Sequence, residues 1–367
     1  MRTRLRKWWP ILKALLAIAI LIAIGRQFAH ALRIPERGLL PALRELWAGI
    51  LHPGWLILAG CLYLLGMGFS AVYWYRLLLG LGQNPPFLGA VRAHFIGQMG
   101  KYLPGKAWAL FLRSSEIQSS GVRMGIAIMT SFYDVLTTMS VGALIAALLF
   151  AVRIQDFSAA LDWSDFGRLV PRETVLGSAI DPKVFVLLSL FLLLLIGIPI
   201  LPPVFNWIVH RIALPFREAD AAPVARIPWK MLVQGLILTT GCWLLMGASL
   251  WAALQAALRV PAPWSWQAWA DYTAFVALAY VASFVIIVVP SGLGVREFLL
   301  LLLLIPEIRL QSDQANGDAE SIAVLAVLLL RLVWTTAEVV FVSLAYWLPA
   351  ERKSKKEKGE KETALAT

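Results

Sequence analysis

Residues 231–258 read MLVQGLILTTGCWLLMGASLWAALQAAL, a run that contains no Asp, Glu, Lys or Arg. The hydrocarbon core of a bilayer is about 30 Å thick, and a helix needs about 20 apolar residues to cross it. This run exceeds that length, as do the charge-free runs Val184–Val209 and Tyr272–Val295. The sequence therefore predicts helices that cross a membrane.

The overall composition also indicates that lipid is the solvent of this chain. Of 367 residues, 59% are hydrophobic and 15% are charged, which is more apolar surface than a soluble fold of this length could bury. The 33 basic residues outnumber the 22 acidic ones. Because the basic residues cluster at the ends of apolar runs, they favour contact with lipid headgroups over binding of nucleic acid.

These patterns predict an all-α fold, a polytopic transmembrane helical bundle of about eight spans with two broken or re-entrant helical segments. Residues 1–350 form one transmembrane domain, and residues 351–367 form a charged cytoplasmic tail that we expect to be disordered. The eight predicted spans are 11–25, 53–80, 122–152, 183–209, 230–258, 268–289, 293–306 and 320–348.

Loop charge predicts the orientation of the spans, because loops rich in Lys and Arg stay in the cytoplasm. Residues 210–230 contain four basic and two acidic residues, whereas residues 307–320 contain one basic and four acidic residues. The tail after Ala350 contains six Lys and Arg residues. We therefore place both termini in the cytoplasm, and residues 153–182 and 307–320 outside.

The N-terminal segment has two interpretations. Basic residues precede the apolar run from Ile11 to Gly25, and Ala29-His30-Ala31 has the small-x-small pattern of a signal-peptide cleavage site. We favour a retained signal anchor because many spans follow it, and cleavage is the alternative.

Tryptophans near the ends of the predicted spans are typical of a membrane–water interface. We therefore expect them to anchor the bundle in the interface rather than to surround a cofactor. They are Trp55, Trp74, Trp207, Trp229, Trp264, Trp266, Trp269 and Trp347.

The first interruption is the stretch GKYLPGK at 100–106, which lies within the moderately apolar segment 87–113. Lipid offers no water to freed backbone groups, so irregular backbone at membrane depth must line protein or a wet cavity. For this segment, a hairpin that enters and leaves on the cytoplasmic side fits better than a spanning helix.

The chemistry of this stretch favours an anion. Pro104 suits the first turn of a helix, and Gly105 lets the backbone approach a ligand. In the helix that follows, Lys106 and Arg113 lie two turns apart on one face. With Lys101, they form a phosphate or carboxylate site at a helix N-terminus. The alternative is an interfacial loop whose lysines extend to lipid headgroups.

The second interruption is the stretch PSGLGVRE at 290–297. Ser291 is a natural N-cap, and two glycines follow it. Glu297 near a helix start is electrostatically favourable, whereas Arg296 is not, so we expect Arg296 to face an anion or a partner. The alternative is an ion pair between the two that only fixes packing.

Three further charges lie inside predicted spans, where a charge is costly and functional by default. Arg331 and Glu338 lie two turns apart on one face of the last span, and Asp134 lies in span 122–152. An Asp134–Arg331 or an Arg331–Glu338 pair would neutralise buried charge. The alternative is that the carboxylates carry protons that drive transport.

Enzyme and metal chemistry find no support in the sequence. The motifs of serine hydrolases, phosphate-binding loops and dinucleotide-binding folds are missing, and no loop is long enough for a separate soluble catalytic domain. Two cysteines, Cys61 and Cys242, and four scattered histidines lack metal-ligand spacing. We therefore expect a protein that is not an enzyme and has no cofactor and no metal.

At the two interruptions the chain resembles the family named after the transmembrane region of lysylphosphatidylglycerol synthase, also called flippase-like membrane proteins. The resemblance spans nearly the whole chain and is most specific at 100–106 with Arg113 and at 290–297; Arg331 also looks like an arginine of that family. The family usually has a glycine or another small residue where Ser291 stands. Multi-domain members add a C-terminal aminoacyl transferase, which we do not expect here because the chain ends at Thr367 after a short charged tail.

The resemblance implies a protein of the cell inner membrane that moves or exposes an anionic or polyprenyl-linked lipid. The alternatives are a non-catalytic membrane partner of a lipid-synthesis enzyme or glycosyltransferase, and a solute transporter. Membrane lipid is the expected partner, and nucleic acid is not. The candidate residues for the lipid headgroup or phosphate are Lys101, Tyr102, Pro104, Gly105, Lys106, Arg113, Ser291, Gly292, Gly294, Arg296 and Glu297.

Overall fold

The computed structural model describes seven stretches of the chain, and all secondary structure in them is helical. The stretches are 52–102, 107–153, 183–213, 226–258, 264–286, 294–311 and 319–347. Their helices are α1 (Pro53–Gly80), α2 (Phe87–Met99), α3 (Ala107–Gln118), α4 (Met124–Val152), α5 (Lys183–Ile200), α6 (Pro202–Ala213), α7 (Trp229–Ala257), α8 (Trp266–Val285), α9 (Val295–Gln311) and α10 (Ala319–Trp347). A 3-10 turn, Gly100–Tyr102, follows α2. The first predicted span and the tail lie outside the described residues.

Six of the described helices are long and apolar enough to cross a membrane, so the chain is a multi-pass membrane protein. They are α1, α4, α5, α7, α8 and α10. The predicted span 293–306 corresponds to α9, which has 17 residues and is shorter than these six. The predicted all-α helical bundle is confirmed.

The charge-free run 231–258 forms nearly all of α7, the central helix of the bundle. This helix packs against α1, α4, α8 and α10. Side chains join three of these helices by hydrogen bonds, since Trp334 Nε1 donates to Ser249 Oγ (2.9 Å) and Ser249 Oγ donates to the carbonyl oxygen of Ala59 (2.8 Å). After Lys230 in its first turn, α7 carries no charged side chain, and its contacts with these neighbours are apolar or between uncharged polar groups.

The first interruption is a helical hairpin. Helices α2 and α3 have 13 and 12 residues, so each is about 18–20 Å long and too short to cross the bilayer core. The two helices pack against each other, and α2 also contacts α1 and α10. The contact is close: a Cβ at Gly97 would lie 2.6 Å from the Cβ of Arg113. The hairpin therefore places the 3-10 turn against the interior of the bundle.

The second interruption lies between α8 and α9. The helix begins at Val295, and Glu297 Oε2 accepts a hydrogen bond from the backbone N–H of Gly294 (2.5 Å). Gly294 has φ +88°, a conformation that favours glycine. Glu297, the third residue of the helix, therefore caps it, and Ser291, which we expected to be the N-cap, lies outside the described residues.

One of the tryptophans expected at the interface is in the core. Trp74 is fully buried, and its Nε1 donates to Thr130 Oγ1 (3.1 Å). The guanidinium carbon of Arg113 lies 4.9 Å from its ring centre. The expectation that Trp74 anchors the bundle at the membrane surface was therefore wrong. Its indole instead contacts the buried Arg113 guanidinium and the Thr130 hydroxyl inside the bundle.

The hairpin contact predicts that Gly100→Ala destabilises the protein. A Cβ at Gly100 would clash with the backbone nitrogen of Ala109 and lie 2.6 Å from the carbonyl carbon of Trp108, and backbone atoms cannot rotate away. We expect the free energy of unfolding to fall by about 1–3 kcal/mol, measured by thermal or denaturant unfolding in detergent. Gly68→Ala is the matched control, because nothing lies within 4 Å of its Cβ position. Equal stability of the two variants would contradict the close packing.

Candidate anion-binding site

Charged side chains of the bundle interior meet along one face of α10. Arg331, Thr335 and Glu338 follow one another at helical spacing, so they lie along one face. Arg331 and Glu338 lie about 18 and 28 Å from the start of a helix about 43 Å long, which puts them at membrane depth. Charged side chains there need partners, since each costs several kcal/mol in lipid.

Glu338 is the centre of the first group of contacts. It is fully buried and accepts hydrogen bonds from Tyr63 Oη and from Lys101 Nζ. Tyr102 Oη donates to its second oxygen (2.8 Å) and lies 3.3 Å from Thr335 Oγ1. One carboxylate thus holds the 3-10 turn of the hairpin to α1 and α10.

Glu297 is the centre of the second group. Its Oε1 accepts from Arg296 Nη2 (3.1 Å) and from Arg331 Nη1, while its Oε2 accepts from the N–H of Gly294. The Glu297 side chain is 5% exposed. This carboxylate holds the start of α9 to α10, as Glu338 holds the hairpin.

An aromatic wall joins the two groups. The rings of Tyr63 and Trp334 stack with centres 4.6 Å apart. The guanidinium carbon of Arg296 lies 5.2 Å from the ring centre of Tyr280 and 5.5 Å from that of Trp334. Tyr63 also donates to Glu338, which binds Lys101, so these rings connect Lys101 with Arg296. The two interrupted segments therefore meet at one place, which we call the α10 charge cluster: Lys101, Arg296, Glu297, Arg331 and Glu338.

The charge cluster has a positive excess and an accessible side. Among the described residues it contains three cationic side chains and two carboxylates. The carboxylates are buried, but the side chains of Lys101 and Arg331 are 20% and 24% exposed. The exposed part of the cluster is therefore cationic, and its chemistry suits a phosphate or carboxylate group.

A separate group of contacts holds the hairpin to α4. Arg113 Nη1 lies 2.6 Å from Asp134 Oδ2, and both side chains are almost fully buried. Ser70 Oγ donates to the other oxygen of Asp134 (3.4 Å), and Arg113 Nη2 lies 3.5 Å from His94 Nε2. We call these four residues and Trp74 the hairpin latch.

The predicted pairing of the intramembrane charges was wrong. Arg331 pairs with Glu297, Glu338 with Lys101 and Asp134 with Arg113. The reason is that the two interrupted segments, which carry their own charges, fold into the bundle and reach the spans.

The structure sorts the predicted headgroup residues into three sets. Lys101, Tyr102, Gly294, Arg296 and Glu297 lie in or next to the α10 charge cluster. Arg113 belongs instead to the hairpin latch, where Asp134 neutralises it. The following predicted residues lie outside the described part of the chain: Pro104, Gly105, Lys106, Ser291 and Gly292.

Sequence reasoning missed the aromatic residues of the site. Trp334, and with it the polar residue Thr335, could have been found, because both lie between Arg331 and Glu338 on α10 at helical spacing. Tyr63 and Tyr280 could be suspected only as phenols within long apolar spans. Their connection to the two glutamates depends on how the helices pack, which a single sequence does not reveal.

Comparison of the chain with protein-family models gave no match, and neither did comparison with curated proteins. The family resemblance drawn from the two interrupted segments therefore stays a prediction.

The hairpin latch predicts strong coupling between two substitutions. Asp134→Leu alone leaves the Arg113 cation buried without its carboxylate and should lower the free energy of unfolding by about 3–5 kcal/mol. Adding Arg113→Met removes that cation, so the double variant should regain most of the stability. Thermal unfolding of wild type, both single variants and the double variant measures the coupling. Additive effects would show that the pair does not hold the hairpin.

Proposed function

We propose that the protein is a lipid translocase of the inner membrane, which moves or exposes an anionic or polyprenyl-linked lipid. The observation that carries this proposal is the positive excess of the α10 charge cluster at the depth of the bilayer. The same feature argues against a purely structural network, because neutral packing would not retain an extra cation in lipid. We propose no catalytic step for this chain.

The arrangement of the cluster supports a headgroup phosphate as the ligand. Lys101 comes from the hairpin, Arg296 from the start of α9 and Arg331 from α10, so three elements direct cations to one place. Guanidinium groups bind phosphate oxygens in pairs, and an ammonium adds a point charge. A headgroup could therefore bind in the polar interior while its acyl chains stay in lipid.

The two glutamates suggest a mechanism in which a phosphate replaces their carboxylates as the acceptor of the same donors. In the observed state Glu338 and Glu297 hold the cations and the Gly294 N–H, the same groups that a phosphate would bind. An incoming phosphate would take over these donors, and the carboxylates would be released to Tyr63, Tyr102 or water. With a singly charged phosphate bound, the cluster would contain three cations and three anionic groups, so its net charge would fall to zero.

A flip assay with the purified protein tests this function. In proteoliposomes that contain a fluorescent anionic phospholipid, we expect Lys101→Gln and Arg296→Gln to slow translocation by at least about tenfold, since each removes a charge-assisted contact of about 1.5–3 kcal/mol. Loss of fluorescence after addition of a membrane-impermeant quencher measures the rate. Arg92→Gln is the control, because this cation lies in the same hairpin but pairs with Glu116 (3.1 Å).

The outcomes separate the proposal from its alternatives. Equal rates for the two cluster variants and Arg92→Gln would contradict the assigned role of the cluster. No movement of lipid by the wild-type protein alone, with activity restored by an associated enzyme, would favour the partner function. Uptake of a solute that does not depend on lipid composition would favour a solute transporter.

The exchange mechanism also predicts that Glu338→Gln tightens binding of anionic lipid. A neutral amide competes with phosphate for Lys101 less than a carboxylate does, so we expect about tenfold more retained anionic lipid relative to zwitterionic lipid. Native mass spectrometry of purified protein with bound lipids measures the ratio. Glu116→Gln, which removes a carboxylate outside the cluster, should leave it unchanged. A lower ratio in Glu338→Gln would contradict the exchange.

A further inference from the structure

The short helix α6 and the start of α7 lie at one end of the bundle, next to the surface of the bilayer. Helix α5 has 18 residues and is about 27 Å long, nearly the thickness of the hydrocarbon core. Only Leu201 separates α5 from α6, so α6 begins where the hydrocarbon core ends. The spanning helix α7 begins at Trp229. These bounds place α6 and the first turn of α7 at the membrane–water interface.

A pair of hydrogen bonds joins α6 to the segment that leads into α7. Asn206 Nδ2 donates to the carbonyl oxygen of Ile227 (3.0 Å), and the backbone N–H of Ile227 donates to Asn206 Oδ1 (2.9 Å). The neighbouring Phe205 is buried against Tyr133, with ring centres 4.6 Å apart. Helix α6 is therefore fixed to the bundle, and residues 226–230 lie beside it.

The exposed charge of this surface is positive and has no carboxylate to balance it within the described residues. Arg211, Arg226 and Lys230 are all exposed. The described stretches 183–213 and 226–258, which contain them, have no Asp and no Glu. None of the three cations forms an ion pair with any other described residue. The surface can therefore attract an anion from outside the chain.

Exposed apolar side chains lie next to these cations. Trp207 is 59% exposed, Trp229 is 56% exposed, and Ile212 is also exposed. The guanidinium carbon of Arg211 lies 5.6 Å from the ring centre of Trp207, so this cation is held at the edge of an apolar surface. Apolar groups at the interface contact acyl chains, and basic groups beside them meet headgroup phosphates. This combination suits a phospholipid better than a water-soluble anion.

We propose that this surface selects anionic phospholipid from the leaflet around it. We call it the interfacial lipid site: Trp207, Arg211, Arg226, Trp229 and Lys230. It is separate from the α10 charge cluster, to which neither α6 nor the start of α7 contributes a residue. The proposal does not depend on the proposed translocase activity, because it concerns a lipid that binds at the surface of the bundle.

Quenching of Trp207 fluorescence by brominated lipid tests the site. Full-length protein is reconstituted in phosphatidylcholine vesicles that contain either brominated phosphatidylglycerol or brominated phosphatidylcholine. Bromine quenches tryptophan on contact, and subtraction of the Trp207→Phe signal isolates the quenching of Trp207. We expect half-maximal quenching of Trp207 at an at least about fivefold lower content of the brominated anionic lipid.

Two matched double variants test the role of charge, each measured against its own Trp207→Phe counterpart. Arg211→Gln with Lys230→Gln should lower the preference for phosphatidylglycerol by at least about threefold. Arg211→Lys with Lys230→Arg keeps both charges and should keep the preference.

The wild-type protein alone decides the question if a variant does not fold. Equal quenching by the two brominated lipids would overturn the proposal. So would a preference that the glutamine variant retains, or a loss that is equal in the two double variants. A preference that is lost with the charges and kept with the lysine–arginine exchange would support the site.

Discussion

The ion pairs between two buried glutamates and three cations are the constraint on which the interior of this bundle depends. Without Glu338 and Glu297, the cations of the hairpin, α9 and α10 would be isolated at membrane depth, and lipid makes that state costly. Each glutamate also joins an interrupted segment to α10. The same contacts therefore hold the short helices in the bundle and keep the cations where a ligand can reach them.

This constraint explains why the two kinds of helix differ in composition. The long helices supply the apolar exterior of the bundle and its centre, α7, which has no charged side chain after Lys230. The short segments cannot satisfy their own ends, and they carry charges that pair with the charges of α4 and α10. Polar contacts, rather than the hydrophobic effect, determine where they lie, because lipid is as apolar as the helix surfaces they would bury.

The sequence predicts more of the fold than of the candidate site. Charge-free runs longer than the bilayer requires predict the spans, and Gly and Pro beside Lys predict that 87–113 folds back, as α2 and α3 do. The partners of the charges could not be predicted. Spacing along one helix places Arg331 and Glu338 on one face, but it cannot show that Glu297 and Lys101, from other elements, pair with them. Pairing across helices depends on tertiary packing, and Trp74 was misplaced for the same reason.

In the α10 charge cluster, two carboxylates partly neutralise three cations, and this balance affects how tightly an anion could bind. A site with bare cations would bind an anion tightly and release it slowly, whereas a site with equal charges would not attract one. Here Glu297 and Glu338 neutralise most of the positive charge, and one cation remains in excess among the described residues. In the proposed function, a phosphate would exchange for the carboxylate oxygens that now bind these cations, which would keep its affinity moderate and permit release. An intermediate affinity is what transport needs, since a carrier that holds its substrate too tightly cannot deliver it.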